Sequence, residues 1–279
     1  MSRNATTTQH GGGAGDGSPA AWLAWIFRPE HTIFWRCLSL GIVLGAWEIA
    51  GWIPINPAFP TFSGTLMAFI DLTLNGEMVA AYGETLKPLL IGVAISASLG
   101  VSVGVAMGLR WDVAWVATPV FIVMQAAPMA ALIPLITFVY GIGLTSKVLA
   151  VCMLALPVIV LNSYRAVRNV NPSLIMMCRS FLGNRRQEIK HVILPEASPM
   201  IFAGLRIGMA EGFGGAVLAE LLITPTGVGD LITYYRSIAG YPEMYASIAS
   251  IVVFTVVAVS LMLKLELMLF RPEKRETVE

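Results

Sequence analysis

A chain of 279 residues that is 56% hydrophobic and only 13% charged, with mean hydropathy +0.74, is not an ordinary soluble domain, in which about a quarter of the residues are charged. These proportions place it in a lipid bilayer. A net charge of +1 gives no basic field for nucleic acid. The three cysteines (Cys37, Cys152, Cys178) and three histidines (His10, His31, His191) are scattered, so neither a disulfide framework nor a metal site is expected. No G-x-x-x-x-G-K-[ST] run occurs, so the chain is expected to bind no nucleotide itself. No pattern such as G-x-S-x-G or H-E-x-x-H is present either, and no catalytic residue is assigned.

In chain order, residues 1–17 are Gly/Thr-rich and read as a disordered tail. Ser18-Pro19 can cap a short helix over 20–28, whose Trp22 and Trp25 suit the headgroup level. The apolar run 20–27 is too short, and lacks the preceding basic cluster, for a cleaved signal peptide. Residues 1–32 are thus expected to be a tail plus an interfacial helix, 33–270 a transmembrane domain, and 271–279 a charged tail.

Six apolar stretches follow: 33–53, 86–108, 116–140, 147–164, 200–222 and 244–270. Each is about 20 residues or slightly more, enough at 1.5 Å per residue for a roughly 30 Å core. The expected fold is all-α, with about six transmembrane helices. The first span holds Arg36 and Glu48, for which Lys264 is a candidate partner. Pro54, Pro57 and Pro60 lead into a polar stretch reaching Glu84. Gly100, Gly104 and Gly108 in the second span, and Gly204, Gly208, Gly212 and Ala216 in the fifth, form ridges of small residues for close helix contact. Pro119, Pro128 and Pro134 break the third span, and Pro157 lies in the fourth. A broken helix can line a pathway or simply be kinked for packing. Residues 224–242 read as a polar connection.

Between the fourth and fifth spans lies the longest polar interruption, RAVRNVNPSLIMMCRSFLGNRRQEIKHVILPEASP, residues 165–199, with six Lys/Arg. Asn171-Pro172 starts a helix over 174–182. Gly183-Asn184 turns the chain, and a second short helix covers 185–192. Ile175, Met176, Phe181, Leu182 and Ile189 are expected to be exposed beside the charges. Such a segment either rests on the membrane surface or docks a partner. With the N-terminus inside, thirteen Lys/Arg fall on the inner side and only Lys87, Lys147 and Arg236 on the outer. The positive-inside rule therefore puts both termini and this loop in the cytoplasm.

The loop resembles the EAA loop of ABC-importer permeases, E-A-A-x-x-x-G followed some nine residues later by I-x-L-P. Met176 stands at the usual acidic position and Cys178 at a usual Ala. Counting from Pro195, Leu182 falls at the usual glycine and Gly183 comes one residue late. The run QAAPMAALIPLITFVYGIGLTSK is similar to the P-x-x-A-x-x-P-L…G-x-G-x-x-S-K pattern of the nitrate/sulfonate/taurine branch, through Pro128, Ala131, Pro134, Leu135, Gly141, Gly143, Ser146 and Lys147. The stretch from Pro57 to Pro60, Gly204–Arg206, Glu220 and the TGVGDLI run from Thr226 look like the same branch.

The resemblance implies a permease subunit in the bacterial cytoplasmic membrane, not itself an enzyme. It implies a second copy, an extracytoplasmic solute-binding protein, and two cytoplasmic ATPase subunits that hold ATP and Mg. The loop becomes a pair of coupling helices, with Met176, Met177, Cys178, Arg179, Ser180, Phe181, Leu182, Gly183 and Asn184 as the partner contact. The cargo implied is a small solute, an anion such as nitrate, a sulfonate, taurine or bicarbonate. Gln125, Pro128, Pro134, Arg206 and Glu220 are assigned to the translocation path. Arg206 and Glu220 lie about 40° apart around the fifth span and about 21 Å apart along it, so they face the path or its gates, unless Arg206 snorkels to the inner interface and Glu220 merely ends the helix. A secondary transporter driven by an ion gradient is the alternative; no inverted repeat supports it, and buried carboxylates are scarce.

Overall fold

The structure is a computed structural model, and it describes residues 32–53, 58–223 and 226–270. The expected terminal tails, Trp22, Trp25, Pro54 and Pro57 lie outside the described residues. Every regular element described is helical. The described residues fall into two compact units, 32–53 and 58–270. The first contains α1 (Thr32–Trp52), 21 residues long, in which Glu48 accepts a hydrogen bond from Trp52 Nε1 one turn later at 3.0 Å.

The second unit begins with α2 (Phe62–Leu74) and α3 (Glu77–Leu109). A sharply bent pair follows, α4 (Trp111–Ala126) and α5 (Met129–Tyr140), and then α6 (Leu144–Arg168). The loop helix is α7 (Pro172–Ser180). A single turn α8 (Arg185–Gln187), a π turn (Glu188–Ile193) and α9 (Leu194–Leu222) run on from one another. The chain closes with α10 (Val228–Ser237) and α11 (Tyr241–Phe270). Among the described residues four stretches are long and apolar enough to cross a membrane: α3, α6, Arg185–Leu222 and α11. The α4–α5 pair, bent by 99°, makes a fifth if taken as one broken span. With α1 this agrees with about six spans.

Helix α6 is the centre of the larger unit. In its most apolar window 61% of residues are buried, against 28% for α3 and 17% for α11. The two glycine ridges explain this, because both press on α6. A Cβ at Gly100 would lie 2.8 Å from Ile159 Cγ2, and one at Gly104 2.5 Å from Ser163 Cβ and 2.6 Å from the Val160 carbonyl oxygen. From α9, a Cβ at Gly204 would lie 2.6 Å from Asn162 Cβ, and one at Gly215 2.8 Å from the Ala150 carbonyl oxygen. These are well inside the roughly 3.5–4.0 Å at which carbon atoms rest. In lipid no hydrophobic force draws helices together, so close backbone approach supplies the dispersion contact instead.

Three expectations are corrected. The polar stretch to Glu84 is helical: α2 fills residues 62–74, and α3 starts at Glu77, not near residue 86. Thr61 caps α2 by accepting from Gly64 N–H at 3.1 Å. With 33 residues α3 is about 50 Å long, so it projects beyond a bilayer core, and its polar end carries the exposed Lys87–Glu84 pair at 2.6 Å. Of the three prolines in the third span only Pro128 breaks the helix. Ala127 (ψ 135) and Pro128 (ψ 96) are both extended, as expected of a residue preceding proline, while Pro119 and Pro134 sit within α4 and α5. Finally, the connection 224–242 contains the helix α10.

Replacing Gly104 with valine should overpack the α3–α6 contact and cost about 1–3 kcal/mol, seen as a lower melting temperature and reduced monodisperse yield in detergent. Gly83→Ala, where a Cβ meets nothing within 4 Å, should be neutral or stabilising by up to about 1 kcal/mol. Equal effects of the two would show that the ridge is not what holds α6.

Candidate functional site

The first candidate region is the knob formed by α7, the turn and α8. Asn171 caps α7 by accepting from Ser173 N–H at 2.9 Å, with Pro172 in the first turn. At the other end Gly183 N–H donates to Cys178 O at 3.0 Å and Leu182 N–H to Arg179 O at 2.9 Å. This pair of crossing bonds needs a left-handed residue between them, usually glycine. Here Leu182 takes that role, at φ 56. Gly183 meets a different need: a Cβ there would lie 2.6 Å from Cys178 Sγ. The late glycine therefore serves close packing, and the residue in the usual glycine place bears the strain. Asn184 and Gln187 then form a capping box, with Gln187 N–H to Asn184 Oδ1 at 2.9 Å and Asn184 N–H to Gln187 Oε1 at 2.8 Å.

The expected second loop helix, 185–192, is not separate from the span that follows. The π turn joins α8 to α9, and the helix passes Pro195 unbroken. A proline ring in a regular helix strikes the carbonyl four residues back, here that of His191. The wide turn gives that carbonyl room.

Glu188 locks the knob together. It is 3% exposed and paired with Arg179 (Nε–Oε2 3.3 Å) and with Arg185. The Arg185 pair is three residues apart and legible in the sequence, whereas the Arg179 pair depends on the turn. Ile175 and Ile189 face inward, contrary to expectation, against Ala166, Val167, Val170, Ile193, Ala197 and Ile201. Val101, Val105 and Leu109 of α3 join this cluster. What remains outside is Met176 (59% exposed), Met177 (53%), Phe181 (81%) and Leu182 (93%).

The second region lies at the other end of α6. Lys147 and Glu220 are both buried, their Nζ and Oε1 3.3 Å apart. Lys147 Nζ also donates to Thr226 Oγ1 at 2.6 Å. Glu220 Oε2 accepts from Thr85 Oγ1 at 2.9 Å and from Gly229 N–H at 3.1 Å, and Val228 N–H donates to Thr85 Oγ1 at 3.0 Å. A Cβ at Gly227 (φ +84) would fall 2.6 Å from Glu220 Oε2, and one at Gly229 2.5 Å from Glu220 Cβ. The TGVGDLI run is thus a glycine cradle closed around one carboxylate. It ties α3, α6 and α9 to the start of α10. At the far end of α10, Tyr235 donates to Glu77 Oε2 at 2.7 Å. Burial and then the Glu77 carboxylate push this phenol up to about 12, so it remains a donor at any physiological pH.

The other sequence-assigned residues are dispersed. Gln125, Pro128 and Pro134 are exposed on the bent pair α4–α5. Arg206 pairs with Glu266 of α11 at 2.9 Å, both partly buried. Arg206 and Glu220 share a helix but are held by separate partners. Thr85, Glu266 and the Arg179–Glu188 contact escaped sequence reasoning, since no spacing links these residues to their partners. No group of three or more His, Cys, Asp or Glu fit to hold a metal occurs among the described residues.

Residues 96–271 match the family described as the binding-protein-dependent transport system inner membrane component. The chain belongs to that family. Among its relatives, this inner membrane component is 35% identical over 155 residues to the riboflavin transport system permease protein RibX of Chloroflexus aurantiacus, covering 56% of this chain and 58% of the relative. It is 30% identical over 189 residues to the taurine transport system permease protein TauC of Escherichia coli, covering 68% and 64%. The chain thus spans a little under two thirds of the length of each. The fold is similar to that of a chain in inward facing conformations of the MetNI methionine ABC transporter, with TM-score 0.59 and 18% identity, over 68% of this chain and 94% of that one.

Removing one partner of a buried pair strands the other charge, at a cost of about 3–5 kcal/mol. Glu220→Gln and Lys147→Met should each lower the detergent melting temperature and speed proteolysis within 226–240. The double variant should recover most of the loss. Additive losses would show that the two residues do not act as a pair.

Proposed function

We propose that this chain is the permease subunit of an ATP-driven importer, working as a homodimer. Each copy supplies half of a path for a small solute. Two cytoplasmic subunits bind ATP and Mg, and an extracytoplasmic binding protein delivers the cargo. The relatives' names, taurine and riboflavin, keep the cargo among small organic solutes. The nitrate/sulfonate/taurine resemblance favours one bearing an anionic group.

The observation that carries this reading is the tip of the knob. Leu182 is 93% exposed at a left-handed φ of 56, a conformation costing an L-residue about 1–2 kcal/mol. Glycine would relieve the strain and expose less apolar surface. A leucine kept there, beside an 81% exposed Phe181, is accounted for by a partner that covers it. Met176 and Met177 extend the patch. Cys178, Arg179, Ser180, Gly183 and Asn184 shape the helix end and turn that present it. The distribution of basic residues favours a cytoplasmic position for the patch, on the side of ATP.

The route from knob to path follows from its base. Ile175 and Ile189 are packed among residues of α3, α6 and α9, so displacement of the knob moves those helices as a body. ATP-driven closure of the partner subunits rocks them and exposes the path to the opposite side. This works only if ATP binding favours one arrangement over the other. Gln125, Pro128 and Pro134 are assigned to the path. Arg206 and Glu220 are assigned to its flanks, where they hold α11 and α10.

Co-expression with its P-loop ATPase and purification in mild detergent tests this. Wild type should retain the ATPase. Phe181→Asp combined with Leu182→Asp should lose it by roughly tenfold or more, as expected for charges placed in a hot spot, with unchanged size-exclusion behaviour. Leu182→Gly should fold at least as well as wild type yet bind the ATPase more weakly. Undiminished ATPase in the double-aspartate variant would overturn the docking assigned to the knob.

A further inference from the structure

Two of the ionisable side chains of α9 beyond its first turn are paired, Arg206 with Glu266 and Glu220 with Lys147. Glu211 is different: it is exposed, and it makes no hydrogen bond or ion pair among the described residues. It lies eleven residues before Leu222, or about 16 Å along the axis, roughly half the thickness of a hydrocarbon core. Ile207 (45% exposed), Gly214 and Leu221 (38% exposed) share its side of the helix. Gly214 leaves a notch there, since a Cβ would meet nothing within 4 Å.

The exposed stripe of α11 offers a contrast. It presents Val252, Val253, Val256 and Val257, each 52–59% exposed, a surface suited to lipid. The α9 face is not of that kind. A carboxyl group at mid-depth in a span faces a water-filled cavity or the bundle interior, because hydrocarbon cannot solvate it. Among the described residues no neighbour covers Glu211, and on the permease reading the space shared with a second copy is what such a carboxyl group would face.

On the permease reading above, we infer that the Glu211 face of α9 lines the translocation path, and that its carboxylate selects for solutes bearing a positive or hydrogen-bond-donating group. A twofold assembly brings two such carboxylates to one depth. Bare anions such as nitrate or bicarbonate meet repulsion there. An ammonium-bearing sulfonate, by contrast, offers a cation to the carboxylates while its anionic end is held elsewhere. This narrows the cargo class from small anions to zwitterions, cations and donor-rich neutral solutes.

The test uses two thiol reagents as surrogate cargo, one cationic (trimethylammonioethyl methanethiosulfonate) and one anionic (sulfonatoethyl methanethiosulfonate). Gly214→Cys is made in the full-length chain, in membranes and with its partner subunits, and modification at position 214 is read by mass spectrometry so that the native cysteines can stay. Rates are divided by those for a free thiol. Both reagents should reach position 214, the cationic one roughly tenfold faster, and adding Glu211→Gln should bring the ratio to within about twofold. Ile207→Cys serves in the same way should Gly214→Cys fail to assemble. Val256→Cys should remain unmodified by either reagent. A position 214 closed to both reagents, or a rate ratio indifferent to Glu211→Gln, overturns the inference. ATPase co-purification is scored on the same samples, so loss of the importer reading shows separately from loss of a charged path.

Discussion

Helix α6 meets its neighbours backbone to backbone, and the larger unit is arranged around that constraint. Gly100 and Gly104 press from α3 and Gly204 and Gly215 from α9, on adjoining sides: Gly100 and Gly208 meet the same Ile159. Side chains at these contacts would hold the helices several ångströms apart and remove the dispersion energy that association in lipid depends on. Because the contacts are tight and α3 and α9 also meet one another (a Cβ at Gly212 would lie 3.3 Å from Val93 Cγ2), α6 cannot shift against either by small amounts. The three helices are best treated as one block, and motion belongs to the elements attached to it.

Those attachments differ at the two ends. At one end the knob is held by apolar packing around Val167, Ile193 and Ala197 and by the carboxylate of Glu188 between two arginines. At the other, α10 is held by a polar network around Glu220. Apolar packing tolerates a rigid push. A buried ion pair with glycines closed around it is all-or-none, since any opening leaves a charge without a partner. The block thus has a firm handle at the knob and a discrete clasp at the opposite end.

Much of this was legible in the sequence. Hydropathy found the apolar stretches, the fourfold glycine spacing found both faces of the block, and Asn171-Pro172 and Gly183-Asn184 placed the loop helix and its turn. Where the long apolar runs ended, helices did not: α2 is apolar even where exposed (Leu66, Met67, Ile70, Leu74) but only 13 residues long, too short to read as a span. Arg179–Glu188 and Arg206–Glu266 could not be foreseen, because each depends on how two elements meet. The Lys147–Glu220 pair was half legible. Both residues stood in quoted motifs, but only the fold shows that they touch. Pro128 breaks its span while Pro119 and Pro134 do not, a difference set by backbone geometry rather than by residue type.

The π turn at Glu188–Ile193 also governs how this knob can be exchanged. A wide turn carries one more residue than an α-turn of the same height, so it takes up that residue without turning the knob on α9. Deleting a single residue within it would restore an α-turn of the same height, leaving Phe181 and Leu182 aimed much as before but pressing the Pro195 ring against the carbonyl four residues back. Transplanting this knob onto another permease therefore requires that the six residues from Glu188 to Ile193 travel with it, together with Pro195, whose ring the wide turn accommodates. A graft cut at the Gly183-Asn184 turn would preserve every residue of α7 and still leave Arg179 without Glu188.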